Sequence, residues 1–161
     1  MEYDIQSHLY RIPSSVVSCL TGPDHETAIM AVIPGTPTGK SRPRLTRKGR
    51  AYTPAKTVLA EEHARTAVIS QTGCKRLEGP VALEILTVMP IPVSWSKKKQ
   101  NAAQAGEIRP AVMPDFDNLA KLYCDAMNGV WWQDDRQIVD GRCIKCYGAD
   151  PFVIMWCWQV Q

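Results

Sequence analysis

Between Pro114 and Gly129 the chain carries a helix with both ends marked, and any fold it adopts must accommodate that helix. Pro114 disfavours helical backbone at Met113. Asp115 and Asp117 then fall at the N-cap and in the first turn, where free backbone N–H groups and the helix dipole favour carboxylates. Leu119, Leu122, Tyr123, Ala126, Met127 and Val130 recur at steps of three and four and form one apolar stripe. Asp117, Lys121 and Asp125 lie four apart on another stripe, roughly opposite the first. Asn128-Gly129 supplies the stop. Val130-Trp131-Trp132 then predicts a core anchor that delivers Gln133-Asp134-Asp135.

Two carboxylates at a helix start, a lysine one turn in and a returning carboxylate pair suit a divalent-metal site for cutting phosphodiesters. Hard cations such as Mg²⁺ take oxygen ligands, commonly one or two carboxylates plus water and substrate phosphate. The ion makes hydroxide available and stabilises charge at the transferring phosphorus. A neighbouring lysine can neutralise a phosphate oxygen or help position the water. The plainer account is a capped helix with a surface ion pair and an acidic turn, and periodicity alone leaves both open. Two other uses of Asp-x-Asp fit poorly. A calcium loop beginning at Asp115 needs Gly at its sixth position and Glu at its twelfth, where Ala120 and Ala126 stand. An aspartyl-phosphate phosphatase of the haloacid dehalogenase type needs a buried strand before the motif and Thr or Val after it. Pro114 interrupts that approach, and Leu119 fills the later place.

Charge is distributed unevenly along the 161 residues, although the net value is only +3. Six cations (Lys40, Arg42, Arg44, Arg47, Lys48, Arg50) follow one another with no acid between them, and Lys97, Lys98 and Lys99 form a second cluster. Asp115 to Asp140 holds six acids against Lys121 and Arg136. An acidic pocket in a basic frame suits an enzyme acting on a polyanion, with the cations as DNA-backbone contacts. Tyr52 lies near enough in sequence to Arg42 and Arg44 to stack or hydrogen-bond. A solvated loop with ordinary surface charge is the plainer account of the first cluster.

The length suits one domain, with residues 1–26 as an N-terminal extension and residues 27–161 as the folded unit. There is no apolar run of 18 residues and no signal-peptide pattern, so a cytoplasmic protein without a membrane partner is expected. The six cysteines are scattered, and Cys143 and Cys146 fall in a predicted strand where they face opposite sides, a poor chelate. The predicted elements are a strand over Thr27–Ile33, a structureless basic loop, a helix over Ala55–Gln71 with Thr53 as its N-cap, and a strand over Val81–Met89. A short helix with its capped start in Ser94-Trp95-Ser96-Lys97-Lys98-Lys99 and reaching Gln104, the central helix, and strands over Ile138–Tyr147 and Phe152–Val160 follow. His63, on the first long helix, is expected to be a surface or half-buried residue and not a ligand. This is an α+β single domain with a mixed sheet in β-α-β-α-α-β-β order and helices on a face.

From about Ala28 the chain resembles the RusA family of Holliday junction resolvases. The resemblance rests on ordered matches. These are Pro34-Gly35-Thr36-Pro37 with Lys40, Arg42 and Arg44; Lys48-Gly49-Arg50-Ala51-Tyr52; Gly79-Pro80-Val81; Trp95-Ser96-Lys97-Lys98; Pro114-Asp115-Phe116-Asp117-Asn118-Leu119 with Lys121; Asp125-Ala126-Met127-Asn128-Gly129; Trp132-Gln133-Asp134-Asp135; and Lys145. The resemblance implies a RusA-like fold and a homodimeric endodeoxyribonuclease using Mg²⁺, or Mn²⁺ in its place, that resolves four-way DNA junctions by paired symmetric nicks. It implies that Asp115, Asp117 and Asp135 are the essential aspartates and Lys121 the essential lysine, with Asp134 as an adjacent metal-binding helper. It does not account for the first 25 residues. A DNA-binding protein without catalysis and a metal-dependent hydrolase of small phosphoesters are the alternatives.

Overall fold

The structure is a computed structural model and describes residues 7–8, 12–18, 20 and 28–160. After a one-turn helix α1 (Ser14–Val17), strand β1 (Ile29–Pro34) leads into the basic segment. That segment is not structureless: Arg44–Leu45 (β2) and Ala51–Tyr52 (β3) pair as a small antiparallel ribbon. Its turn is closed by Gly49 N–H donating to the Thr46 carbonyl at 2.9 Å. Helix α2 (Ala55–Thr72) follows, with Pro54 at the cap position in place of Thr53 and no side-chain cap bond. Strand β4 (Val81–Pro90), helix α3 (Lys97–Gln104) and helix α4 (Phe116–Met127) come next. A single 3-10 turn (Asp135–Gln137) then leads into β5 (Ile138–Gly148) and β6 (Phe152–Gln159).

The four long strands form one mixed sheet in the order β1-β6-β4-β5. β6 runs antiparallel to both β1 and β4, whereas β4 and β5 are parallel. A parallel neighbour requires a long crossover, and α3 and α4 lie within it. β4 is central and its first nine residues are buried, which explains why both of its alternating sets are largely apolar.

Each sheet face carries its own core. On one, Leu83, Ile85, Val153 and Met155 pack against Ala64 and Val68 of α2 and the α4 stripe of Leu119, Leu122, Tyr123, Ala126 and Met127. Burying large apolar side chains in this way contributes about 1.5–3 kcal/mol each. On the other face, Val32, Leu86, Val88, Cys146, Phe152, Ile154 and Trp156 are covered in part by Ile12 and Val16. The described part of residues 1–26 therefore packs on the sheet. The rest of that segment lies outside the described residues. Cys143 borders the first core and Cys146 sits in the second, so the pair faces opposite sides of β5. Burial pushes both thiols up, to about 11 and about 12.

Candidate active site

Asp115 is the N-cap of α4, yet its carboxylate makes no cap bond; Asn118 Nδ2 lies 3.5 Å from its Oδ2. Asp115 and Asp117 are both exposed. Two contacts fix the approach to them. Lys145 of β5 donates to the carbonyls of Val112 and, at 2.8 Å, Pro114. Gly39 lies flat against the same turn: a Cβ there would meet Pro114 Cβ at 2.6 Å and Asn118 Cβ at 3.3 Å.

The second acidic segment is held from below. Trp131 and Trp132 are fully buried, with indole N–H groups donating to Thr72 Oγ1 at 3.1 Å and Asn128 Oδ1 at 2.9 Å. Gln137 then organises the turn. Its Oε1 accepts from Gln133 N–H at 2.7 Å, and its Nε2 donates to the carbonyls of Leu77 and Gly79 at 3.0 and 2.9 Å. Gln137 was not singled out in the sequence, because a glutamine three residues after an aspartate signals a capping box only when the turn itself is foreseen.

Lys121 joins the two acidic segments. Its Nζ lies 2.9 Å from Asp125 Oδ1 and 3.1 Å from Asp135 Oδ2. Hydrogen bonds to Asp125 and Asp135 hold the ammonium above the usual lysine range. The group is therefore a cation at neutral pH and suits charge stabilisation better than proton abstraction. Asp134 is occupied differently. Its Oδ1 accepts from Arg136 N–H at 3.0 Å and Arg136 Nε at 2.7 Å, completing a capping box with Gln137. The backbone and side-chain bonds from Arg136 hold that carboxyl below its ordinary value. The structure thus gives Asp134 a local structural task, beside Asp115, Asp117 and Asp135, whose carboxylates make no such cap.

Asp115, Asp117 and Asp135 offer only carboxylate oxygens, the donor type a hard divalent cation takes, and all three are exposed or half-buried. Their chemistry fits Mg²⁺. Among the described residues, no three His, Cys, Asp or Glu side chains are drawn into a tight group. The exposed His63 binds the Pro34 carbonyl at 2.8 Å through Nε2.

The cations divide. Arg42, Arg44, Arg47, Lys48 and Arg50 are exposed on and around the β2–β3 ribbon. Ser96 caps α3 by accepting from Lys99 N–H, and Lys97 and Lys98 are exposed. Lys99 Nζ stands 3.8 Å from the centroid of Trp95, which itself packs edge-on against Tyr147. Lys40 is turned inward, half-buried, with its Nζ bonded to Asp125 and, at 2.8 Å, to Glu61. Beside the acidic helix start runs a cleft of about 570 Å³, lined by Thr38, Ser41, Lys56, Met89, Met113 and Asn118 among others.

A mixed α+β domain with carboxylates at a helix start, a bridging lysine and exposed cations suits an enzyme that acts on a polyanion. A model of the endodeoxyribonuclease RusA family matches residues 34–155, and the chain belongs to that family. It is also similar to a Bacillus subtilis (strain 168) protein described as uncharacterized protein YqaN. The two are 34% identical over 124 residues, which cover 74% of this chain and 87% of that one.

Proposed function

We propose that this protein is an Mg²⁺-dependent endonuclease that resolves four-way DNA junctions by paired nicks, acting as a homodimer. The observation that carries the proposal is the Lys121 bridge. An ammonium 3.1 Å from Asp135 Oδ2, on the helix that opens with Asp115 and Asp117, ties that helix to the second acidic segment and supports the reading of one acidic site. Family membership supports the same reading. Asp115, Asp117 and Asp135 would hold the ion, which when bound supplies Lewis acidity and positive charge for phosphoryl chemistry. Lys121 keeps its charge and offers it to a non-bridging phosphate oxygen, where negative charge builds up during displacement. The exposed cations on the β2–β3 ribbon and on α3 hold backbone phosphates, so affinity falls steeply with salt. Two symmetric nicks require two equivalent sites, which a two-fold dimer supplies.

The test uses a labelled four-way junction and a matched linear duplex, with Mg²⁺ or EDTA. The expected result is paired nicks in the junction alone, lost with EDTA and in Asp117→Asn and Lys121→Ala, both of which still bind the junction. Full cleavage by Asp117→Asn would remove the assignment. Binding without nicks in any divalent ion would leave a junction-binding protein, and turnover of nucleotides but not DNA a small-phosphoester hydrolase.

A further inference from the structure

Lys40 differs from the other five cations of its segment. Its side chain is 25% exposed and its ammonium lies between Glu61 of α2 and Asp125 of α4. Asp125 gives one oxygen to Lys40 and the other to Lys121, which continues to Asp135. The result is an unbroken alternation of charge, Glu61–Lys40–Asp125–Lys121–Asp135, leading from α2 to the acidic site. The backbone around Lys40 is fastened to both helices, α4 and α2. Lys40 N–H donates to the Asn118 carbonyl at 2.8 Å, and Thr38 N–H to Tyr123 Oη at 3.4 Å. Ser41 N–H reaches Thr57 Oγ1 at 3.2 Å, and Gly39 permits the close approach to Pro114 and Asn118.

We infer that Lys40 and Asp125 are positioning residues: Lys40 pins Asp125, and Asp125 holds the Lys121 ammonium at the Asp135 edge of the site. Lys40 thereby uses its charge inside the protein and not on a DNA phosphate. The inference rests on the endonuclease reading above. The physical reason is conformational. Lys121 is 57% exposed on a helix surface, and a lysine side chain there has wide rotamer freedom. Two carboxylate acceptors, at 2.9 and 3.1 Å, confine it. With Lys40 removed, Lys121 becomes the nearest cation for both Asp125 oxygens and is drawn away from Asp135. With Asp125 neutralised, Lys121 keeps Asp135 alone and its second restraint is lost.

The experiment compares wild type, Lys40→Met, Lys40→Arg, Asp125→Asn and Arg50→Ala in junction binding across a salt series and in single-turnover cleavage with protein in excess. Circular dichroism checks the fold of each. Lys40→Met and Asp125→Asn are expected to cleave at least about tenfold more slowly, with binding and its salt slope unchanged. Lys40→Arg should recover most of the rate, and a protein carrying both Lys40→Met and Asp125→Asn should be no slower than the worse single variant, because the residues act in one chain. Arg50→Ala should instead lower the salt slope by about 0.9 per lost phosphate contact. Lys40→Met that nicks at the wild-type rate, or that lowers the slope as Arg50→Ala does, overturns the inference alone. A wild-type protein that never nicks a junction overturns the endonuclease reading and the inference with it. If Lys40→Met does not fold, Lys40→Arg and Asp125→Asn decide: a slow Asp125→Asn with a near-normal Lys40→Arg supports the inference, and a wild-type rate in Asp125→Asn overturns it.

Discussion

At the scale of single residues, the site depends on charges that would be unremarkable elsewhere on a surface. Burial alone would raise the Asp125 carboxyl, but hydrogen bonds from the Lys40 and Lys121 ammonium groups outweigh it and bring the net value below the ordinary 3.8. The folded state then binds that proton more weakly than the unfolded chain does. The resulting stabilisation is complete above about pH 3.8 and is lost as pH falls through the lowered folded value. Denaturant titrations should therefore show wild type more stable than Asp125→Asn at pH 7, with the gap closing in acid below that range. Lys145 is a second such residue. Lys145→Met removes the donor to the Val112 and Pro114 carbonyls directly before Asp115. Hydrogen bonds to charged groups contribute about 1.5–3 kcal/mol when intact, and partial solvation of the carbonyls reduces the cost to roughly 1–2 kcal/mol. The expected loss is about 4 °C in Tm by calorimetry, together with slower cleavage, because the turn carrying Asp115 is no longer held.

At the scale of elements, α4 matters because it is buried on one stripe and reactive on the other. Leu119, Leu122, Ala126 and Met127 are fully buried, so the axial position of Asp117 and Lys121 is set by packing and not by the exposed side chains themselves. The segment from Thr36 to Ser41 closes against this helix through Gly39. Gly39→Ala would place a methyl 2.6 Å from Pro114 Cβ, too close for either to remain in place. Overpacking of this kind costs about 1–3 kcal/mol. The expected outcome is a folded protein by circular dichroism with junction cleavage reduced at least about tenfold, since the displaced loop carries Lys40 with it.

On the scale of the whole molecule, the sheet needs cover on both faces. Helices α2 and α4 cover one, and Val16 of α1, fully buried against the other, contributes cover from a segment that lies before the residues matched by the family model. Val16→Asp would bury an uncompensated carboxylate, which costs several kcal/mol. A clear fall in the urea midpoint and increased binding of an apolar dye are the expected results; an unchanged midpoint would mean that this cover adds nothing to stability. Among the described residues, no helix is long and apolar enough to cross a membrane.

Local chemistry made much of this readable from sequence. Pro114, the three- and four-residue spacing from Leu119 to Val130, and Asn128-Gly129 determine α4 because capping and amphipathic burial act within a few residues. The alternation of Val153, Met155 and Cys157 with Ile154, Trp156 and Trp158 is equally local, and the two sets lie in or against opposite cores. The β2–β3 ribbon was not legible, because two-residue strands carry no periodicity. Tertiary structure alone decided that β5 runs parallel to β4, that Gln137 and Arg136 occupy the Asp134 turn, and that Lys40 points inward while its neighbours remain exposed. Each of these depends on partners distant in the chain: Glu61 and Asp125 are 21 and 85 positions from Lys40. A charge run looks uniform in sequence, and only folding determines which of its members meets a carboxylate.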